Sequence, residues 1–136
     1  MSIEFTEGAV IAERELRFTR ETLVRYAGAS GDFNPIHYRD DVAEQVGLPG
    51  VLAHGMLTMG AAIQPVIDVL GDPGRVVEYQ VRFTRPVVVD AADGAAVHVT
   101  ATAAKDLGDG LWRVDLKVLV GEQTVLAKSQ AVVRVA

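Results

Sequence analysis

Asp32 and His37 stand five positions apart in the segment SGDFNPIH, Ser30 to His37. A carboxylate and an imidazole held in one pocket can divide the two proton transfers of a hydration: one takes a proton from water while the other holds or returns one. Histidine suits that work because its unperturbed pKa lies near neutrality. A second reading stands beside this one. Asp32 can equally cap the loop through an Asx turn, with His37 an ordinary surface residue, and the residue types alone do not decide between the two. Asn34 is read as a loop holder that bonds side chain to backbone.

A further candidate lies at His54-Gly55-Met56. If this is a helix start, its first backbone amides have no partner inside the helix and point along the positive end of the dipole. A thioester carbonyl placed there would find a donor where negative charge develops. The plainer alternative is a helix start whose glycine only permits close packing. His54 is expected to bond to the neighbouring loop, and Met56 and Met59 to lie in the core. His98 sits within a strand pattern, far in sequence from the other two histidines, and no HExxH or comparable spacing exists. No metal site is therefore expected. The glycines at 71, 74, 108 and 110 form no GxGxxG or P-loop pattern, and no serine stands in a GxSxG elbow. Arg82 and Arg85 flank Thr84 and could meet a phosphate, although exposed arginines are common.

Elements must hold these residues in place. Ile11 to Phe18 alternates loosely and predicts a strand. Thr19 can cap a helix from Arg20, with Glu21 in its first turn and Gly28 or Gly31 ending it. Ser30 to His37 is a tight irregular loop in which Pro35 keeps Asn34 out of the helical region. A short helix is expected from Tyr38 to Val46. The segment 53–70, AHGMLTMGAAIQPVIDVL, is small or apolar on nearly every side and predicts an enclosed helix, kinked or restarted at Pro65. Beyond the GDPG turn the period changes to two. Strands are expected at 77–83, with 87–89 as a continuation past Pro86, at 95–104, at 112–120 and at 124–135. That makes five strands, four of them an antiparallel meander, packed on the one long helix: an α+β domain spanning 1–136.

Composition sets outer limits. A chain of 136 residues suits one hydrophobic core, and an apolar fraction of 49% is ordinary for a globular domain. The absence of cysteine excludes a disulfide scaffold, a thiolate zinc site and a cysteine nucleophile. Thirteen basic against eighteen acidic residues give a net charge of -5, which discourages nucleic-acid binding. The segment 51–70 is too interrupted for a membrane span, and the N-terminus lacks the pattern of a signal peptide. Cytoplasm is the expected location by default.

Taken together, Tyr26-Ala-x-x-Ser30-Gly-Asp32-x-Asn34-Pro-Ile-His37 and Ala53-His-Gly-Met56 resemble the MaoC-like, hydratase-2 group of hotdog-fold proteins. The likeness runs from about Phe18 through Pro86. Details such as AHGMLTMG, GDPG and EYQVRFT resemble the catalytic beta subunits of mycobacterial-type (3R)-hydroxyacyl-ACP dehydratases of fatty-acid elongation. The resemblance implies a single hotdog fold, with a curved antiparallel sheet wrapped around the long helix. It implies two subunits side by side, as a homodimer or a heterodimer with a related subunit, and a pocket at or near their interface. It assigns Asp32 and His37 as the catalytic pair and the Gly55 amide as the oxyanion donor, with Ser30, Asn34 and His54 in support. The implied reaction is reversible hydration of a trans-2-enoyl thioester of CoA or acyl-carrier protein to the (3R)-3-hydroxyacyl form, without a cofactor. Some relatives carry serine where this chain has Gly60, which removes one polar contact near the pair. A thioesterase of the same fold and a noncatalytic, tunnel-shaping subunit are the rival readings.

Overall fold

The computed structural model describes residues 3–135. Strand β1 (Val10–Phe18) leads into helix α1 (Arg20–Ser30), a 3-10 turn (Pro35–His37) and helix α2 (Asp40–Gln45). The long helix α3 (Gly55–Leu70) follows, then a second 3-10 turn (Pro73–Arg75). Strands β2 (Val76–Phe83), β3 (Ala95–Gly108), β4 (Leu111–Val120) and β5 (Gln123–Arg134) complete the chain. The start of α1 is a reciprocal cap: the Thr22 amide donates to Thr19 Oγ1 at 3.2 Å and the Thr19 amide to Thr22 Oγ1 at 3.0 Å. Gly31, at φ 77°, ends α1 in the left-handed region. That position lies one residue before Asp32, so the helix end aims the loop.

The five strands form one antiparallel sheet in the order β1-β3-β4-β5-β2. This corrects the expected four-strand meander. Only β3, β4 and β5 follow one another in space, and β2 closes the far edge against β5. The cause lies in residues 84–94. Pro86 cannot donate to a ladder, and 87–89 do not continue the strand. They leave the sheet and run beside 51–53, with the Ala53 amide donating to Val87 O and the Val89 amide to Val51 O, both at 2.9 Å. The segment thereby crosses three strand spacings, about 14 Å, before β3 begins. Strand β3 also runs past Ala104 to Gly108, with the turn at Asp109 and Gly110.

The inner face of the sheet carries the core. Along β3, Ala95, Val97, Val99, Ala101 and Ala103 are all buried, alternating with half-buried positions. Val114, Leu116 and Val118 of β4 and Ala131 and Val133 of β5 continue it. Helix α3 lies across this face, touching β1, β2, β3 and β4, and buries Thr58, Ala62, Ile63, Pro65 and Val66. The single long helix on a wrapped five-stranded sheet is the hotdog arrangement. Pro65 does not break α3, which runs unbroken from Gly55 to Leu70. The enclosure expected for α3 is incomplete, because one sheet covers only one side of a helix. Met56, Gly60, Gln64 and Asp68, spaced by four, form an exposed stripe opposite it. Met56 is thus a surface residue and not core. Among the described residues no helix is long and apolar enough to cross a membrane.

Gly94 marks where the crossing segment rejoins the sheet. Its φ is 69°, and a Cβ there would run into the Phe18 carbonyl oxygen. Gly94→Ala is expected to cost at least about 2 kcal/mol, combining a left-handed backbone with a clash against main chain. Urea unfolding checks this, with a midpoint clearly below that of the parent.

Candidate active site

The loop after α1 is built by three successive side-chain-to-backbone bonds with a spacing of two. The Asp32 amide donates to Ser30 Oγ at 3.1 Å, the Asn34 amide to Asp32 Oδ1 at 3.2 Å, and the Ile36 amide to Asn34 Oδ1 at 3.2 Å. Each bond closes a short turn and fixes the next residue. Pro35 then opens the 3-10 turn that ends on His37, whose amide donates to Asn34 O at 3.0 Å. Asp32 therefore performs the Asx-turn duty proposed for it, and does so with Oδ1 alone. Its other oxygen, Oδ2, lies 3.8 Å from His37 Nε2. The two readings of the aspartate are compatible because a carboxylate has two oxygens.

His37 is buried, not an ordinary surface residue: its side chain is 10% exposed against 51% for Asp32. Its Nδ1 lies 2.6 Å from Leu52 O. A carbonyl oxygen only accepts, so Nδ1 carries the hydrogen and Nε2 faces Asp32 free to exchange a proton. At 3.8 Å the pair is too far apart for a direct hydrogen bond, yet one oxygen atom can stand about 2.8 Å from both.

His54 completes the arrangement. It is 1% exposed, and its ring stacks on that of His37 with centroids 3.8 Å apart and planes at 21°. Its Nε2 donates to Asp32 O at 3.1 Å, and Tyr26 meets its edge at 4.8 Å. The bond to the neighbouring loop expected for His54 is present. Its Nδ1 is buried with no protein partner. Burial pushes the His54 pKa below the ordinary imidazole value, opposed by the bond to Asp32, so the ring is held neutral. Ligand atoms of Asp32, His37 and His54 all lie within 4.8 Å of one another. The two stacked imidazoles nevertheless have nearly parallel planes, and in-plane lone pairs on such rings do not converge on one ion.

Gly55 opens α3, and Tyr26, Ser30, Asp32, His54, Gly55, Met56 and Phe83 line an open cleft of about 370 Å³. A second cleft, of about 330 Å³, has His37, Gly55, Thr58, Phe83, Arg85 and Leu126 among its walls. Asp32 and His37 thus open onto different clefts, which share Gly55 and Phe83. Of the two arginines, Arg85 borders the cleft of His37, whereas Arg82 lies on β2 and lines neither. Strand β2 ends at Phe83, so Arg85 escapes the alternation that carries Arg82 outward. His98 is remote, paired with Glu13 at 2.8 Å on β1. Sequence reasoning passed over Tyr26, Thr58 and Phe83 as elements of the site. A signal existed for two of them: Tyr26 stands four before Ser30, and Thr58 three after Gly55, each pair on one helical face.

The fold and this cluster define a hotdog-fold protein with a carboxylate–imidazole pair beside the N-terminus of the central helix. The chain belongs to the MaoC-like domain family, whose sequence profile matches residues 4–119, a longer stretch than the motifs alone mark out. It is 37% identical over 102 residues to 3-hydroxyacyl-thioester dehydratase X of Mycobacterium tuberculosis, covering 75% of this chain and 32% of that protein. The chain thus spans about a third of that relative's length. A solved structure described as a MaoC-like dehydratase is 34% identical with a TM-score of 0.92, over 96% of this chain and 41% of that one. R-hydratase PhaJ1 from Pseudomonas aeruginosa, in its unliganded form, is 26% identical with a TM-score of 0.79, over 95% of this chain and 81% of that one.

Because the folded state holds His54 neutral, the unfolded chain takes up a proton that the folded protein resists. The stability from this group is whole above the unfolded value, about pH 6.5, and is lost as pH falls through the lower folded value. His54→Phe keeps a ring in the stack but cannot titrate. Melting temperatures followed from neutral to acid pH are expected to fall less steeply in the variant than in the parent. Parallel curves would show that His54 is not held neutral by the fold.

Proposed function

We propose that the protein interconverts trans-2-enoyl and (3R)-3-hydroxyacyl thioesters by adding or removing water, as a hydro-lyase of fatty-acid metabolism. The observation that carries this reading is the Asp32 Oδ2 to His37 Nε2 gap of 3.8 Å beside the Gly55 amide. In the hydration direction a water between the pair gives a proton to Asp32 as its oxygen bonds to C3. The C2–C3 π electrons move toward the thioester carbonyl, and the negative oxygen takes the Gly55 N–H bond. The enolate then collapses as C2 gains a proton from the pair, with His37 assisting the transfer. Dehydration runs the same steps backward. Water is added with no net oxidation or reduction, so the chemistry calls for no redox cofactor.

The named activities of the mycobacterial relative and of the R-hydratase support the reaction class and, in the second case, the 3R hand. Arg85 on the rim of the His37 cleft is the better placed of the two arginines for a carrier phosphate, whether that carrier is CoA or acyl-carrier protein. We also propose that the protein works as a hotdog pair, with itself or with a related subunit. Half-exposed Asp32, exposed Met56 and Phe83, and the unpaired outer edge of β2 support this, since a second subunit would exclude water from the pair.

The test is crotonyl-CoA incubated with the purified chain, reading loss of enoyl absorbance, product hand and free CoA. The expected product is (3R)-3-hydroxybutyryl-CoA with no CoA released, whereas release of CoA without hydration would favour a thioesterase. Asp32→Asn is expected to keep the fold and lower turnover on the order of a hundredfold or more. Equal activity in variant and parent would overturn the role given to Asp32.

A further inference from the structure

We infer that Phe83 sets specificity at the α-carbon of the substrate, excluding acyl thioesters that are branched there. The inference rests on the hydratase reading above and goes beyond it to the substrate class. Phe83 is the last residue of edge strand β2, paired with Leu126 of β5 on one side only, and is 52% exposed. An aromatic ring so placed gains little from core burial, yet it lies against the backbone of Gly55. A Cβ built on Gly55 would stand 3.0 Å from Phe83 Cε1 and 3.3 Å from Cδ1. The absence of a side chain at 55 is what lets the ring settle there.

This position fixes what the ring meets. A carbonyl oxygen accepting from the Gly55 amide must stand about 2.9 Å from that nitrogen. The carbons attached to it then come within van der Waals reach of a ring already resting on Gly55. C3 must lie against the oxygen held between Asp32 and His37, which open onto two clefts that both have Phe83 in their walls. C2 joins the carbonyl to C3, so its flank faces the ring common to both clefts. A hydrogen on C2 passes, whereas a methyl group there competes for the volume of the ring. One methyl group in an apolar pocket is worth about ten- to two-hundredfold in kcat/KM.

The probes are crotonyl-CoA and its 2-methyl analogue, with kcat/KM measured for the parent, Phe83→Leu and Phe83→Ala. The parent is expected to disfavour the branched substrate by about tenfold or more. Phe83→Ala should raise the branched-to-unbranched ratio about tenfold, with Phe83→Leu between. A ratio is read because general damage to the site lowers both rates together and leaves it unmoved. Exposure of the ring favours folding of both variants, and Phe83→Leu carries the test alone if alanine is not tolerated. A parent that accepts both substrates equally, or a ratio unchanged in the variants, overturns the inference while leaving the hydratase reading intact. A parent inert toward both overturns the hydratase reading, and the inference falls with it.

Discussion

The bond between His37 Nδ1 and Leu52 O, 2.6 Å long, is the constraint on which the site depends. It spends one ring nitrogen on a carbonyl and so leaves the other free to face Asp32. Leu52 can offer that carbonyl because its neighbours Val51 and Ala53 are bonded to the crossing segment at Val89 and Val87. Those bonds exist only because residues 84–94 leave β2 and traverse the fold. The tautomer of His37 is thereby tied to a strand order in which β2 and β3 are not neighbours.

A second carbonyl does the complementary work. Asp32 O accepts from His54 Nε2, which holds the aspartate backbone against the start of α3, while Asp32 Oδ1 holds the loop and Oδ2 faces His37. The two imidazoles, stacked and bonded to different main-chain oxygens, form a rigid block between the loop and the helix. Burial keeps the inner ring neutral, so it stacks on His37 without adding a like charge to the pair. The pattern is one of preorganisation: the groups that would meet changing charge are fixed before any substrate arrives.

Much of this was legible in the sequence where the signal is local. Thr19 as a cap, a helix end at Gly28 or Gly31, the alternation of β3 and the irregular loop from Ser30 to His37 each follow from neighbours in the chain. The strand order was not legible, because pairing depends on which distant edge a segment reaches, and Pro86 marks a departure without giving its destination. The pairing of His37 with Leu52 O was likewise hidden, since a backbone acceptor leaves no trace in residue type. Asp32 illustrates the limit best: its sequence context supported both a turn and a chemical role, and only the geometry shows that one oxygen makes the turn while the other faces His37. Arg82 and Arg85 looked equivalent until the end of β2 at Phe83 separated them.

The chemistry proposed for the site turns on the proton positions of two buried rings, which nitrogen-resolved NMR of the histidine side chains reads directly. At about pH 8, above the ordinary imidazole range, His37 is expected to carry its hydrogen on Nδ1 and His54 on Nε2. A His37 ring with its hydrogen on Nε2 alone would set a lone pair against the Leu52 carbonyl, and would contradict the arrangement from which the chemistry of the site was derived.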